Sequence, residues 1–189
     1  MKSLFVFILV LFTQTTFCQI PDTMLVKLFD DFTPSQLLMF ISNNLEINEL
    51  TKEYSIALSY KIPTLNPVSN KKITSQFGYR IHPMTRELKK HEGIDMKAKR
   101  GQAIYAAADG EVLEMGYHKL LGNYIKIKHL LGFISLYGHL EATKVEINSH
   151  IYQGQLIGFC GDSGRTTGVH LHFSIIHHGQ YLNPYSFIF

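Results

Sequence analysis

Two stretches of this 189-residue chain carry side chains able to share one metal ion: His91 and Asp95 in HEGID, and His170 and His172 in GVHLHF. In an extended strand, residues i and i+2 point to the same face. The two imidazoles of HLH therefore project together while Leu171 and Phe173 face the core. Both rings can serve one metal, or one can bind it while the other meets substrate. HEGID needs a bend. On a straight strand His91 and Asp95 would stand about 13 Å apart at roughly 3.3 Å per residue, whereas two ligands of one zinc ion lie about 3–3.5 Å apart. Gly93 is the residue expected to permit the bend. A helical i, i+4 pair is the rival geometry, disfavoured by the glycine and by the β-like surroundings.

Two histidines and one carboxylate leave a fourth zinc position for water, whose pKa the ion lowers to about 7. Proton transfer then falls to other side chains. Glu92 is poorly placed, because adjacent residues in an extended segment diverge. His139, in SLYGHL, and whichever of His170 and His172 is not a ligand are better placed to orient water and move protons. His82, His118, His129, His150, His177 and His178 read as structural histidines.

The elements that must position these groups change character along the chain. GEVLEMGYH, GNYIKIKHL, GFISLYGHL, QLIGF and HLHFSII are short runs bounded by Gly, Asn or Asp. YIKIKH sets Ile125 and Ile127 among Lys126 and Lys128 in strict alternation. Strands this short at such spacing predict a mainly β fold, an antiparallel sheet or barrel-like sandwich. Upstream, Thr33-Pro34-Ser35 has the form of a helix start with Pro at the first helical position. Leu37, Leu38, Phe40 and Ile41, then Leu45, Ile47 and Leu50, line one face of one or two short helices. KIPTLNPVSN reads as an extended linker. The expected organisation is a signal peptide over 1–18, a helical extension and linker over 19–70, and a β domain over 71–189.

Lys2 precedes the apolar run LFVFILVLF, which is too short to span a bilayer as a mature helix and reads as a secretory signal. Cleavage after Cys18 is the preferred site. An uncleaved anchor and a lipid-modified Cys18 are the rivals, the latter disfavoured by bulky Phe17. Without Cys18, Cys160 stands alone, so it forms neither an internal disulfide nor a C-x-x-C metal site. The formal charge of +3 is too mild to argue for nucleic acid.

At these residues the sequence resembles the lysostaphin-type, or LytM-like, zinc metallopeptidases. The resemblance runs in order through ITSQFGYRIHP, HEGIDMKAKRGQAIYAAADGEV, GNYIKIKH, SLYGHL and GDSGRTTGVHLHFSI, then LNP, over about residues 72–187. It implies an antiparallel β catalytic domain with a groove across the sheet, and a zinc endopeptidase that cuts amide bonds in peptidoglycan stem-peptide cross-links. One Zn2+ would be held by His91, Asp95 and His172, with His139 and His170 as the catalytic pair and Arg80 and Asn123 lining the groove. The resemblance, not the spacing, separates His172 from His170. Two departures stand out: Ser174 where many relatives carry Glu, and Val169 where Pro is usual. The expected partners are peptidoglycan peptides, with no nucleic acid, no membrane span after signal cleavage, and a monomer in the periplasm, cell envelope or medium. The rival function is a non-catalytic LytM-like module that binds wall or activates an amidase. AAADGEVLEMG also has the style of a biotin or lipoyl carrier, but no Lys sits at a hairpin tip.

Overall fold

The computed structural model describes residues 21–43, 49–81 and 86–189. The expected signal peptide, the apolar positions Leu45 and Ile47, and His82 lie outside the described residues. The chain divides into two compact units, at Leu58/Ser59. Among the described residues no helix is long and apolar enough to cross a membrane.

The first unit is helical. Helix α1 (Asp22–Phe29) follows extended Pro21, with Asp22 in its first turn and Lys27 in its last, both favourable to the helix dipole. Helix α2 (Pro34–Asn43) opens on Pro34, where the missing N–H is no loss. Thr33 caps it reciprocally: Gln36 Oε1 accepts the Thr33 N–H at 2.8 Å, and Thr33 Oγ1 accepts the Gln36 N–H at 3.4 Å. Phe29 meets the Phe40 ring at 4.9 Å and the Phe32 ring at 5.3 Å, and Leu25 and Leu37 are fully buried. Helix α3 (Glu49–Lys61) crosses the point of division.

The second unit is antiparallel β. Its main sheet runs β1 (Ile73–Ser75), β4 (Ile94–Lys97), β11 (His170–His177), β8 (Phe133–Thr143), β7 (Gly122–Lys128), β6 (Gly110–His118) and β9 (His150–Ile151). β10 (Leu156–Cys160) joins β8 to β5 (Ala103–Tyr105), β12 (Gln180–Leu182) pairs with β11, and β2 (Gly78–Ile81) with β3 (Leu88–His91) forms a separate hairpin. The short helix α4 (Tyr185–Ile188) follows β12. Alternation builds the core: Ile125 and Ile127 of β7, and Leu171, Phe173 and Ile175 of β11, are all fully buried. Residues 61–70, read as linker, are stitched to the β unit, as is Tyr60 just before them. The Leu65 N–H donates to the Ala107 carbonyl (3.0 Å), the Tyr105 N–H to the Pro67 carbonyl (2.9 Å) and the Asp109 N–H to the Tyr60 carbonyl (2.7 Å).

Candidate metal centre

His91 ends β3, in the hairpin, and Asp95 lies in β4, in the main sheet. Glu92 and Gly93 make the step between sheets, and that step brings the two side chains together. Gly93 is needed for space, not for a left-handed backbone. A Cβ there would meet the Phe173 carbonyl oxygen at 2.4 Å, Ser174 Oγ at 2.5 Å and His172 Cε1 at 2.9 Å. Glu92 is exposed, as its divergence from His91 predicts. β11 pairs His172 opposite Asp95, which completes the group.

Three atoms converge. His91 Nε2 lies 3.2 Å from His172 Nδ1, His91 Nε2 lies 3.1 Å from Asp95 Oδ1, and His172 Nδ1 lies 3.0 Å from the same oxygen. The outer nitrogens are engaged elsewhere: His91 Nδ1 with the Gln76 carbonyl at 2.8 Å, and His172 Nε2 with Ser174 Oγ at 3.0 Å. A carbonyl only accepts, so neutral His91 carries its proton on Nδ1 and turns a bare Nε2 toward a carboxylate. Two acceptors at that distance have no hydrogen to share. A cation between them would resolve the clash, and two imidazoles with one carboxylate suit zinc. Burial pushes the Asp95 carboxyl up, but the imidazoles of His170, His172 and His91 around it overcome that and hold it well below the usual carboxylate range. His172 is pushed down by burial, against the pull of Asp95.

His139 and His170 complete the cluster, with ring centroids 4.6 Å apart. His139 sits at a bulge. Between Tyr137 and Leu140, β8 has one residue more than the stretch of β7 opposite, Ile125 to Asn123. His139 takes a φ of 61°, the left-handed region, and so re-aims its ring. Its Nδ1–H donates to the Ser163 carbonyl at 2.8 Å, leaving Nε2 as the acceptor nitrogen. Burial pushes its pKa down to about 4, so it is neutral at pH 7. Ser163 is fixed in turn: its Oγ accepts the Asn123 N–H at 2.9 Å and donates to the Leu140 carbonyl at 2.8 Å. Gly122, at φ 66°, allows this approach, since a Cβ there would lie 2.3 Å from the Ser163 backbone. His170 Nδ1 donates to the Gly168 carbonyl at 2.9 Å, and its Nε2 lies 3.4 Å from Asp95 Oδ1. Burial lowers the His170 pKa, but the contact with Asp95 more than offsets it and the net shift is upward.

The cluster opens into a cavity of about 320 Å³ whose lining includes Arg80, Lys89, Lys90, Arg165 and Thr166. Arg80 Nη2 stands 3.6 Å from Asp95 Oδ2, and its buried Nε has no hydrogen-bond partner among the described residues. Asn123 lies elsewhere. Its amide donates to the Leu140 carbonyl at 3.1 Å and it borders a second depression with Tyr117 and Tyr124. Sequence reasoning gave no role to Ser174 or Ser163, and of the cationic rim it placed only Arg80 at the groove. For Ser174 the signal existed, because the same i, i+2 spacing carries the HLH face one step further.

Residues 89–184 match the profile described as Peptidase family M23. The chain is 38% identical over 120 residues to the peptidoglycan DD-endopeptidase ShyC of Vibrio cholerae, covering 63% of this chain and 28% of that protein. It therefore spans under a third of the length of that relative. Among solved structures it resembles a zinc-containing peptidase from Vibrio cholerae, with TM-score 0.61 and 32% identity over 67% of this chain and 40% of that one. It also resembles the catalytic domain of lysostaphin from Staphylococcus simulans, with TM-score 0.57 and 25% identity over 61% of this chain and 90% of that one. The profile match covers more than half of the residues, and with it the antiparallel β unit and its His-Asp-His cluster find their place: the chain belongs to Peptidase family M23.

Proposed function

We propose that this chain is an exported zinc endopeptidase that hydrolyses amide bonds in peptidoglycan stem-peptide cross-links. The observation that carries the reading is the convergence of His91 Nε2, Asp95 Oδ1 and His172 Nδ1 within 3.2 Å of one another. One zinc ion would be held by these three atoms. When bound, zinc lowers the pKa of water at its open position to about 7 and polarises a carbonyl. His139, neutral and with Nε2 unprotonated, takes a proton. His170, its ring fixed by the Gly168 carbonyl, steadies developing negative charge on the substrate.

The cationic rim supports a carboxylate-bearing substrate. Arg80, Lys89, Lys90 and Arg165 border the cavity, and among the described residues Asp95 is its one acidic group. A stem-peptide cross-link presents free carboxylates near the scissile bond; a bridge made of glycine presents none. The relative ShyC, a peptidoglycan DD-endopeptidase, points the same way. A D-alanyl–diaminopimelate bond is the proposed target, with Arg80 and, further along the sheet, Asn123 as substrate contacts. Export rests on Lys2 and the apolar run Leu4–Phe12.

Digestion of purified peptidoglycan, analysed by mass spectrometry with and without chelator, tests activity and bond together. Metal-dependent release of stem peptides is expected. Stoichiometric zinc without peptide release would make the chain a non-catalytic wall-binding module instead.

A further inference from the structure

We propose that Ser174 is a positioning residue for the metal centre: its hydroxyl accepts the His172 Nε2–H and so leaves Nδ1 as the metal-facing nitrogen. The inference rests on the zinc site proposed above, but on a residue outside the ligand set.

An imidazole next to a metal must present a bare nitrogen, and which nitrogen is bare depends on what the other one meets. His91 solves this with a backbone carbonyl, Gln76, at 2.8 Å. Among the described residues no carbonyl serves His172 in this way. Its Nε2 lies 3.0 Å from Ser174 Oγ, and both residues are buried. The strand supplies the geometry, because residues 172 and 174 share one face of β11. Gly93 supplies the room. A Cβ at 93 would fall 2.5 Å from Ser174 Oγ and 2.9 Å from His172 Cε1, the two groups that this contact brings together. Gly93 and Ser174 thus form one device across the β4–β11 pair.

In the metal-free protein the His172 proton can sit on Nδ1 and be donated to Asp95 Oδ1, 3.0 Å away, with the Ser174 hydroxyl donating to Nε2. When zinc takes Nδ1 the proton moves to Nε2, and the same hydroxyl turns to accept it. Without the hydroxyl, zinc binding forces a proton onto a buried Nε2 with no acceptor. Ser174→Ala should therefore raise the zinc Kd about 10- to 100-fold. Its metal-free melting temperature should stay within about 4 °C of the unaltered protein.

The test measures zinc affinity by chelator competition and thermal melting of the metal-free forms, on the full chain and Ser174→Ala. A zinc Kd within twofold of the unaltered protein would overturn the inference. So would a large loss of metal-free stability with unchanged affinity, which would assign Ser174 to packing. Long-range 1H–15N spectra of the zinc-loaded unaltered protein need no variant. They should show His172 protonated at Nε2 and metal-bound at Nδ1, and the opposite assignment would refute the device. If the unaltered protein takes up no zinc, the metal site itself fails, a result distinct from equal affinity in both proteins.

Discussion

Two buried histidine clusters sit in the same β unit, and they are built on opposite rules. In the first, His129 Nδ1–H donates to the Asp109 carbonyl at 2.7 Å and Nε2 meets Ser135 Oγ at 2.7 Å. Ser135 Oγ is 3.0 Å from Tyr137 Oη, which also accepts the Ala107 N–H at 2.8 Å. Every ring nitrogen and hydroxyl in that chain has a partner. In the second, the Gln76 carbonyl takes the His91 Nδ1–H, so His91 turns a bare Nε2 toward the Asp95 carboxylate and the two have no hydrogen to share. A closed network holds a core together and wants nothing more. An open one is a place for a cation. Both are buried, but one joins a histidine to two hydroxyls and the other joins two histidines to a carboxylate.

Removing a ligand should break the open cluster most completely. His91→Ala or His172→Ala is expected to abolish stoichiometric zinc, read by metal analysis, and to drop peptide release to background. His139→Ala or His170→Ala should keep the zinc while lowering turnover about 10²- to 10⁴-fold. Loss of metal in those variants would place the two rings among the ligands instead.

The closed network should answer to pH. Burial pushes the pKa of His129 down to about 4, from an ordinary value of 6.5. Between these values the unfolded chain binds the proton that the folded chain refuses, so stability falls as pH drops from about 6.5 to 4. The part owed to His129 is roughly 3 kcal/mol at one pKa unit per 1.36 kcal/mol. Urea unfolding of the chelated protein at pH 7 and pH 4.5 measures it, and His129→Gln should flatten the difference. An unchanged slope in that variant would exclude His129 as the source. The smallest effect expected is Tyr137→Phe, which removes the acceptor for a buried N–H. It should cost about 1–3 kcal/mol of stability and leave zinc affinity where it was, in contrast to Ser174→Ala.

Much of the fold was legible because alternation is local. Ile125 and Ile127, and Leu171 and Phe173, announce their buried face by spacing alone, and Thr33-Pro34 announces the start of α2. Gly93 was legible as the place of the bend, and the chain does bend there. The space it leaves for Phe173, Ser174 and His172, about eighty residues away in sequence, was not, and no local rule reveals that. The bulge at His139 was hidden as well, since it arises from a mismatch of register between β7 and β8. So was the packing of residues 61–70 against the β unit, because a proline-bearing stretch looks the same whether its backbone is free or hydrogen-bonded.

By itself the sequence determined which side chains are available for chemistry and that His170, His172 and Ser174 share one face, because a strand's period of two is a property of the backbone. Only the tertiary structure decided which atoms meet. The 3.0 Å between His172 Nδ1 and Asp95 Oδ1 depends on strands β4 and β11 lying side by side. The proton on His91 depends on a carbonyl at Gln76. Metal chemistry is set at the scale of a single hydrogen atom, and that scale is reached only when distant segments close on one another.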